Sequence, residues 1–252
     1  MGLSAGSDQF RRSGLRDKDV AVNPALEQIP SRILGLATGA LTQANHHAVF
    51  ADPGNEHWDF ISVLNTAHAG ELFLKAIIAK QHPLLIFKDV PGLDDNRSTE
   101  LDIETLLTRG RTHDFEKLPQ VLWATTGMRI PNLPCYERLR KARNAIQHFC
   151  APDEEDFRAL SLEFIYKIID PLIASEFGLV AIEFHEDHDI GYDYVVSRVV
   201  RAGLKFTMPD DFDVTEVDLN EALENAAPSY KAWLKRELKR VGKSSLVKHE
   251  GR

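Results

Sequence analysis

Arg143, Asn144 and His148 are the residues of this chain whose types and spacing could do chemistry. An arginine presents a permanently charged, forked donor suited to phosphate or carboxylate oxygens. A histidine, with an unperturbed pKa of about 6.5, takes or gives a proton near neutrality. All three fall in the stretch Pro134–Phe149, whose apolar residues predict a helix. At about 100° per residue, Leu139, Ala142, Ile146 and Phe149 share one face, with Cys135 a turn earlier. Arg140, Asn144 and Gln147 lie opposite, with Arg143 at one margin and His148 at the other. Asn144 and His148 are i, i+4 neighbours, whereas Arg143 and His148 point about 140° apart. A ligand touched by both must lie across the helix or in a groove shared with another one.

The stretch is also basic, with Arg138, Arg140, Lys141 and Arg143 against Glu137 alone. The helix macrodipole is an equally good reason for Arg138 and Lys141. The chain as a whole is acidic: 252 residues, 43% apolar, net charge −8. That is enough chain to bury a core. The charge excludes a protein that coats nucleic acid with its whole surface, so an anionic ligand must find a local basic site. Ser229–Arg252 carries eight Lys/Arg and two Asp/Glu, which leaves about −14 on the remainder. We read that tail as a solvated helix face with a frayed end, and RNA contact is the alternative. Cys135 and Cys150 are too few and too close to staple a fold, and their number suits a reducing compartment. With no signal-like apolar segment and no run of about 18 apolar residues, the expectation is a cytoplasmic protein without a membrane partner.

The elements that must position this helix read as a mainly α fold. A polar segment, 1–22, is expected to be flexible. Asn23-Pro24 resembles a helix start, and Pro30 sets the true beginning of a helix carrying Ile33, Ala37, Ala40 and Ala44. His46 and His47, adjacent on that helix, diverge and are expected at the surface. Trp58–Lys80 is the strongest amphipathic helix, with Phe60, Val63, Leu64, Ala67, Leu74 and Ile78 on one face and Glu71 inside that stripe. A carboxylate there needs a cation, and Lys75, His68 or a facing Arg143 are the candidates. Val90–Thr99 reads as a loop, Leu101–Leu107 as a short helix, and Phe115–Thr126 as a helix with Leu118, Val121 and Leu122 inward. Asp153 caps a helix that buries Phe157, Leu160, Phe164, Ile165 and Ile168, kinks at Pro171 and stops at Gly178. The sum is an antiparallel bundle of four to six helices over 23–178. Residues 179–252 form a small α/β or α appendage. Strands are expected at Leu179–Phe184 and Leu204–Met208 around a helix at Tyr194–Ala202, followed by helices over Glu216–Gly242 broken near Pro228. Glu183, His185 and His188 could ligate a metal, but a solvated loop is the preferred reading. There is no phosphate loop, serine elbow or zinc spacing, and neither cofactor nor metal is expected.

Arg143-Asn144-Ala-Ile-Gln-His148, late in a helical bundle, resembles the HEPN superfamily (higher eukaryotes and prokaryotes nucleotide-binding domains). Its hallmark is an Arg separated by four to six residues from a His, with Asn, Asp or His favoured after the Arg; here four residues intervene. His68-Ala-Gly-Glu71-Leu-Phe-Leu-Lys75 also looks like the second helix of bacterial members. The resemblance spans about Pro24–Gly178. It implies a metal-independent endoribonuclease of the toxin–antitoxin or phage-defence kind, working as a homodimer whose two motif helices face one cleft, with RNA as substrate and a cognate antitoxin or regulatory protein as a further partner. On that footing Arg143, Asn144 and His148 are the catalytic set, and Glu71 and Lys75 support it, Glu71 by holding Arg143. Arg140 and Lys141 contact the RNA backbone. The competing reading is a catalytically silent HEPN-like module that binds RNA, a nucleotide or another protein.

Overall fold

The computed structural model describes residues 22–55, 57–91, 100–148, 155–186 and 191–247. The segment expected to be flexible, most of the Val90–Thr99 loop, Asp153, Cys150 and His188 lie outside them. Helix α1, Ile29–Val49, carries Pro30 in its first turn, where the missing N–H costs nothing. Helix α2, Trp58–Gln81, turns back on α1, and the Trp58 indole N–H fastens the corner by donating to the carbonyls of His47 (3.0 Å) and Phe50 (2.8 Å). The sequence pattern predicts one buried face on α2. Instead every residue from Phe73 to Ala79 is buried, because α1, α4 (Leu118–Thr126), α5 (Leu133–Gln147) and α6 (Phe157–Phe164) all pack against it. The run of small and aliphatic residues, not a periodic stripe, is the signature of such a central helix.

Gly70 allows the tightest of these approaches. A Cβ there would lie 2.6 Å from Cε1 of Phe164, a ring already enclosed by Phe115 and Tyr136. Gly70→Ala is therefore expected to destabilise the fold by about 1–3 kcal/mol through overpacking. Gly39→Ala on α1, with nothing within 4 Å of the added carbon, should stabilise it by about 0.5–1 kcal/mol. Denaturant midpoints of the two variants should move in opposite directions.

Helix α3, Ile103–Arg109, is flanked by two short strands, β1 (Phe87–Asp89) and β2 (Arg111–Thr112), paired antiparallel. Neither strand is apparent from so short a sequence pattern. Helix α6 begins at Asp156, whose Oδ1 accepts the Ala159 N–H at 2.9 Å, three residues after the expected cap. A π-helical turn, Ile165–Ile169, joins it to α7, Asp170–Phe177. The Asp170 N–H bonds to the Ile165 carbonyl five residues back, just before Pro171, which has no N–H to give. The kink expected at Pro171 is thus a shift in helical register. Gly178, at φ +66°, ends the helix in the left-handed region.

Beyond Gly178 the chain stays helical, with α8 (Asp193–Arg201), α9 (Leu219–Ala222) and α10 (Pro228–Arg240, opened by the expected Pro228 break). The two strands expected around α8 do not form. Ala181–Glu183 is a 3-10 turn and 204–208 is extended without a ladder partner. Side chains from the bundle take the place of a ladder. Asp170, 2% exposed, accepts the Ala181 N–H on Oδ1 (3.0 Å) and the Thr207 N–H on Oδ2 (2.6 Å). Buried Asn45 of α1 donates to the carbonyls of Ala181 and Phe184, both at 2.8 Å, and accepts the Tyr166 hydroxyl at 3.0 Å. Backbone groups satisfied this way need no neighbouring strand. One apolar core runs from Leu26 to Val247 through both parts of the chain.

Candidate functional site on helix α5

Asn132 starts α5 by accepting the Cys135 N–H on its side-chain oxygen at 3.1 Å, with Pro134 in the first turn. Cys135, Tyr136, Leu139 and Ala142 are buried and Ile146 is half-buried, so the expected apolar face faces the bundle. Burial, with the Glu163 carboxylate second, pushes the Cys135 thiol up to about 12, which makes it an inert packing residue. Tyr136 belongs to the same buried arc. Its ring lies 4.6 Å from Phe115 and 5.7 Å from Phe164, and its hydroxyl donates to the Phe115 carbonyl.

The cations of α5 divide into two groups. Arg138 donates to Glu155 (2.7 Å) and Glu163 (2.9 Å). Burial acts to raise the Glu163 carboxyl, but the Lys167 hydrogen bond and the charges of Lys167 and Arg138 together hold it below its ordinary range. Arg140 donates twice to Glu137 (3.0 and 2.7 Å) and lies 3.6 Å from Glu116. Arg140, expected on the RNA backbone, is thus largely neutralised. Arg143 differs. Half-buried, it donates to the Asn144 side-chain oxygen at 3.3 Å, and among the described residues neither it nor exposed Lys141 meets a carboxylate.

His148 closes the helix, its N–H shared between the Asn144 (3.2 Å) and Ala145 (3.1 Å) carbonyls, and the residue is exposed. Arg143 lies on the flank of α5 that also carries buried Tyr136, seven residues or about two turns earlier. His148 lies on the solvent flank. The structure therefore brings Arg143 and Asn144 together and leaves the imidazole on the far side of Asn144.

Glu71 pairs with Lys75 at 2.6 Å, and Lys75 also donates to the Thr112 hydroxyl of β2 at 2.9 Å. Of the partners open to Glu71 the fold selects Lys75, not Arg143. The Tyr136 hydroxyl is pushed well up by burial first and by the Glu71 carboxylate second, which locates Glu71 beside Tyr136. Arg143 is about 10 Å further along α5, beyond reach of that carboxylate.

His46 and His47, expected on the surface, are half-buried. The His47 ring lies 4.4 Å from Trp58, the His46 ring 5.2 Å from Phe50, and His46 Nδ1 is 3.2 Å from Glu186. The corner between α1 and α2 needs flat side chains to fill it, and ring divergence on an isolated helix does not report that. His185 is 6% exposed while Glu183 is exposed, and among the described residues no three His, Cys, Asp or Glu side chains are placed to hold a metal ion. No described helix is long and apolar enough to cross a membrane. Comparison with family models, curated proteins and solved structures returns no match.

One feature beside α5 has a sequence signal that the helix pattern obscures. Trp123 falls about 140° from Leu118 on α4, off the inward stripe of Leu118, Val121 and Leu122. It stands 55% exposed, next to Leu133 at 51%.

Proposed function

We propose that this chain is a metal-independent endoribonuclease of the HEPN type, acting as a homodimer with the two α5 helices facing one cleft. The observation that carries the reading is the state of Arg143. Its neighbours Arg138 and Arg140 are each held by two carboxylates, whereas its own guanidinium rests on a neutral amide. A half-buried cation without a carboxylate partner keeps its fork for an anion supplied from outside. A phosphodiester is that anion. In the reaction the 2′-hydroxyl loses its proton to a base and its oxygen bonds to phosphorus. The P–O5′ bond then breaks, and the departing oxygen gains a proton. The products are a 2′,3′-cyclic phosphate and a free 5′-hydroxyl.

His148 serves one proton transfer and His148 of a second copy the other, since a single imidazole does not face both oxygens at once. Arg143 steadies the charge on phosphorus, Asn144 orients it, and Lys141 adds a backbone contact. Glu71 and Lys75 support the site indirectly, by fixing α2 against Tyr136. The reading carries with it an RNA substrate, a cytoplasmic setting and control by an antitoxin or regulatory protein. The test is purified chain incubated with total RNA in excess EDTA. Cutting that persists, with cyclic-phosphate ends, is the expected result; no cutting, or cutting abolished by the chelator, refutes it. A silent RNA-binding module is favoured by one observation: no described residue orients the His148 ring by a hydrogen bond. It predicts binding without cleavage in the same experiment.

A further inference from the structure

A groove of about 620 Å³ lies where α4 meets the start of α5, walled by Pro119, Gln120, Trp123, Arg129, Pro131 and Leu133. Its volume falls within the range of about 300–1,000 Å³ usual for ligand sites. Two large apolar side chains left in water around one concavity mark a surface that something covers.

The surrounding charge indicates what covers it. From Lys117 to His148 the chain carries Lys117, Arg129, Arg138, Arg140, Lys141 and Arg143 against Glu137 alone, in a protein of net charge −8. Carboxylates hold Arg138 and Arg140. Among the described residues Lys117, Arg129, Lys141 and Arg143 meet none. An apolar protein segment makes no use of that excess. A polyanion bearing flat apolar groups uses both features, and a single nucleic-acid strand is such a molecule.

We propose that the α4–α5 groove is a base-stacking subsite for single-stranded RNA. An unpaired base lies on the Trp123 ring, Arg129 meets its phosphate, and the Gln120 amide reads its edge. This rests on α5 being an RNA-facing helix, and not on cleavage. Arg140 and Asn144 fall within about 20° of Leu133 around α5, so one exposed face leads from the groove to the motif. Leu133 and His148 are separated by about 22 Å of helix rise, a span suited to the sites of about 4–16 nucleotides that single-strand binders cover. RNA anchored in the groove therefore reaches the Arg143–His148 edge a few nucleotides away, and it must be unpaired where the base is held.

The test uses the full chain carrying His148→Ala, to keep RNA intact, titrated with a labelled unstructured RNA of about 16 nucleotides. Trp123→Ala is expected to weaken binding roughly 5- to 100-fold, the span of one base–aromatic stack. Trp123→Phe should retain most of the affinity, and Arg129→Ala should lower the salt dependence by about 0.7 in the log–log slope. A duplex of the same sequence, whose bases are not splayed, should bind equally well with and without Trp123. Because Trp123 is exposed, an unchanged melting curve serves as the folding control. The proposal is overturned if Trp123→Ala binds single strands like its parent, if it weakens the duplex equally, or if it changes the sedimenting mass while RNA affinity holds. A chain that cuts RNA but binds it independently of Trp123 sinks the groove alone. Trp123-dependent binding by a chain that never cuts supports the groove and sinks the nuclease.

Discussion

His148→Ala is expected to slow RNA cleavage by about 10²- to 10⁴-fold, the usual loss when a positioned acid or base is removed, while leaving thermal unfolding unchanged. The stability half follows from geometry. His148 terminates α5 through its backbone, whose N–H bonds to the Asn144 and Ala145 carbonyls survive the substitution, and exposed positions of this kind alter stability by about 0.5 kcal/mol or less. Arg143→Ala should produce a comparable loss of rate, because the half-buried guanidinium is the cation left to meet the phosphorane. Arg143→Lys should recover little of it, since an ammonium lacks the planar fork and reaches the phosphate as a point charge. The measurement is initial cleavage rate on a defined RNA, beside a melting curve for each variant. If His148→Ala and Arg143→Ala cut like the parent, α5 is not the catalytic element.

The second large effect concerns the buried carboxylate that the C-terminal part folds around. Asp170→Ala leaves the Ala181 and Thr207 amides, paired at 3.0 and 2.6 Å in the parent, without acceptors inside the protein. At about 1–3 kcal/mol for each orphaned group, the loss should be near 2–6 kcal/mol. The melting temperature should fall by roughly 5–20 °C for a chain of this size. Burial raises the Asp170 carboxyl above its ordinary range, outweighing the hydrogen bonds from Ala181 and Thr207 that lower it. A carboxyl raised on folding contributes stability that is fully present below its unfolded pKa of about 3.9 and is lost as pH rises through its folded value. Asp170→Asn, which cannot ionise, should therefore lack this slope, and the parent's margin over it should shrink as pH rises from about 4. A margin that grows with pH would mean that the carboxylate is stabilised on folding.

How much of this was legible beforehand depended on whether a feature is local. Helix α5 was, because Pro134, the Leu139–Ala142–Ile146 spacing and the polar edge lie within one segment. The start of α1 at Pro30, the stop at Gly178 and the break at Pro228 were legible for the same reason. The partner of Glu71 was not. Lys75 and Arg143 are both chemically suitable, and only the level at which α2 crosses α5, beside Tyr136, decides between them. The absent strands at 179–184 and 204–208 are a similar case. β-branched and aromatic residues there satisfy a buried surface in either conformation, and the choice is made by Asp170 and Asn45, residues remote in sequence. The neutralisation of Arg140 by Glu116 and Glu137, half of it local, was readable only in part.

The π turn at Ile165–Ile169 has a consequence for tolerance to length change. A wide turn uses one residue more than the α-helix it interrupts, so removing a single residue there would restore a regular helix and swing everything after it by about 100°. The Gly70–Phe164 contact, which precedes the turn, would be untouched. Asp170, which follows it, would turn away from Ala181 and Thr207. The bundle and the C-terminal part are thus geared to each other through one helix, and the extra residue in the π turn sets the angle at which they mesh.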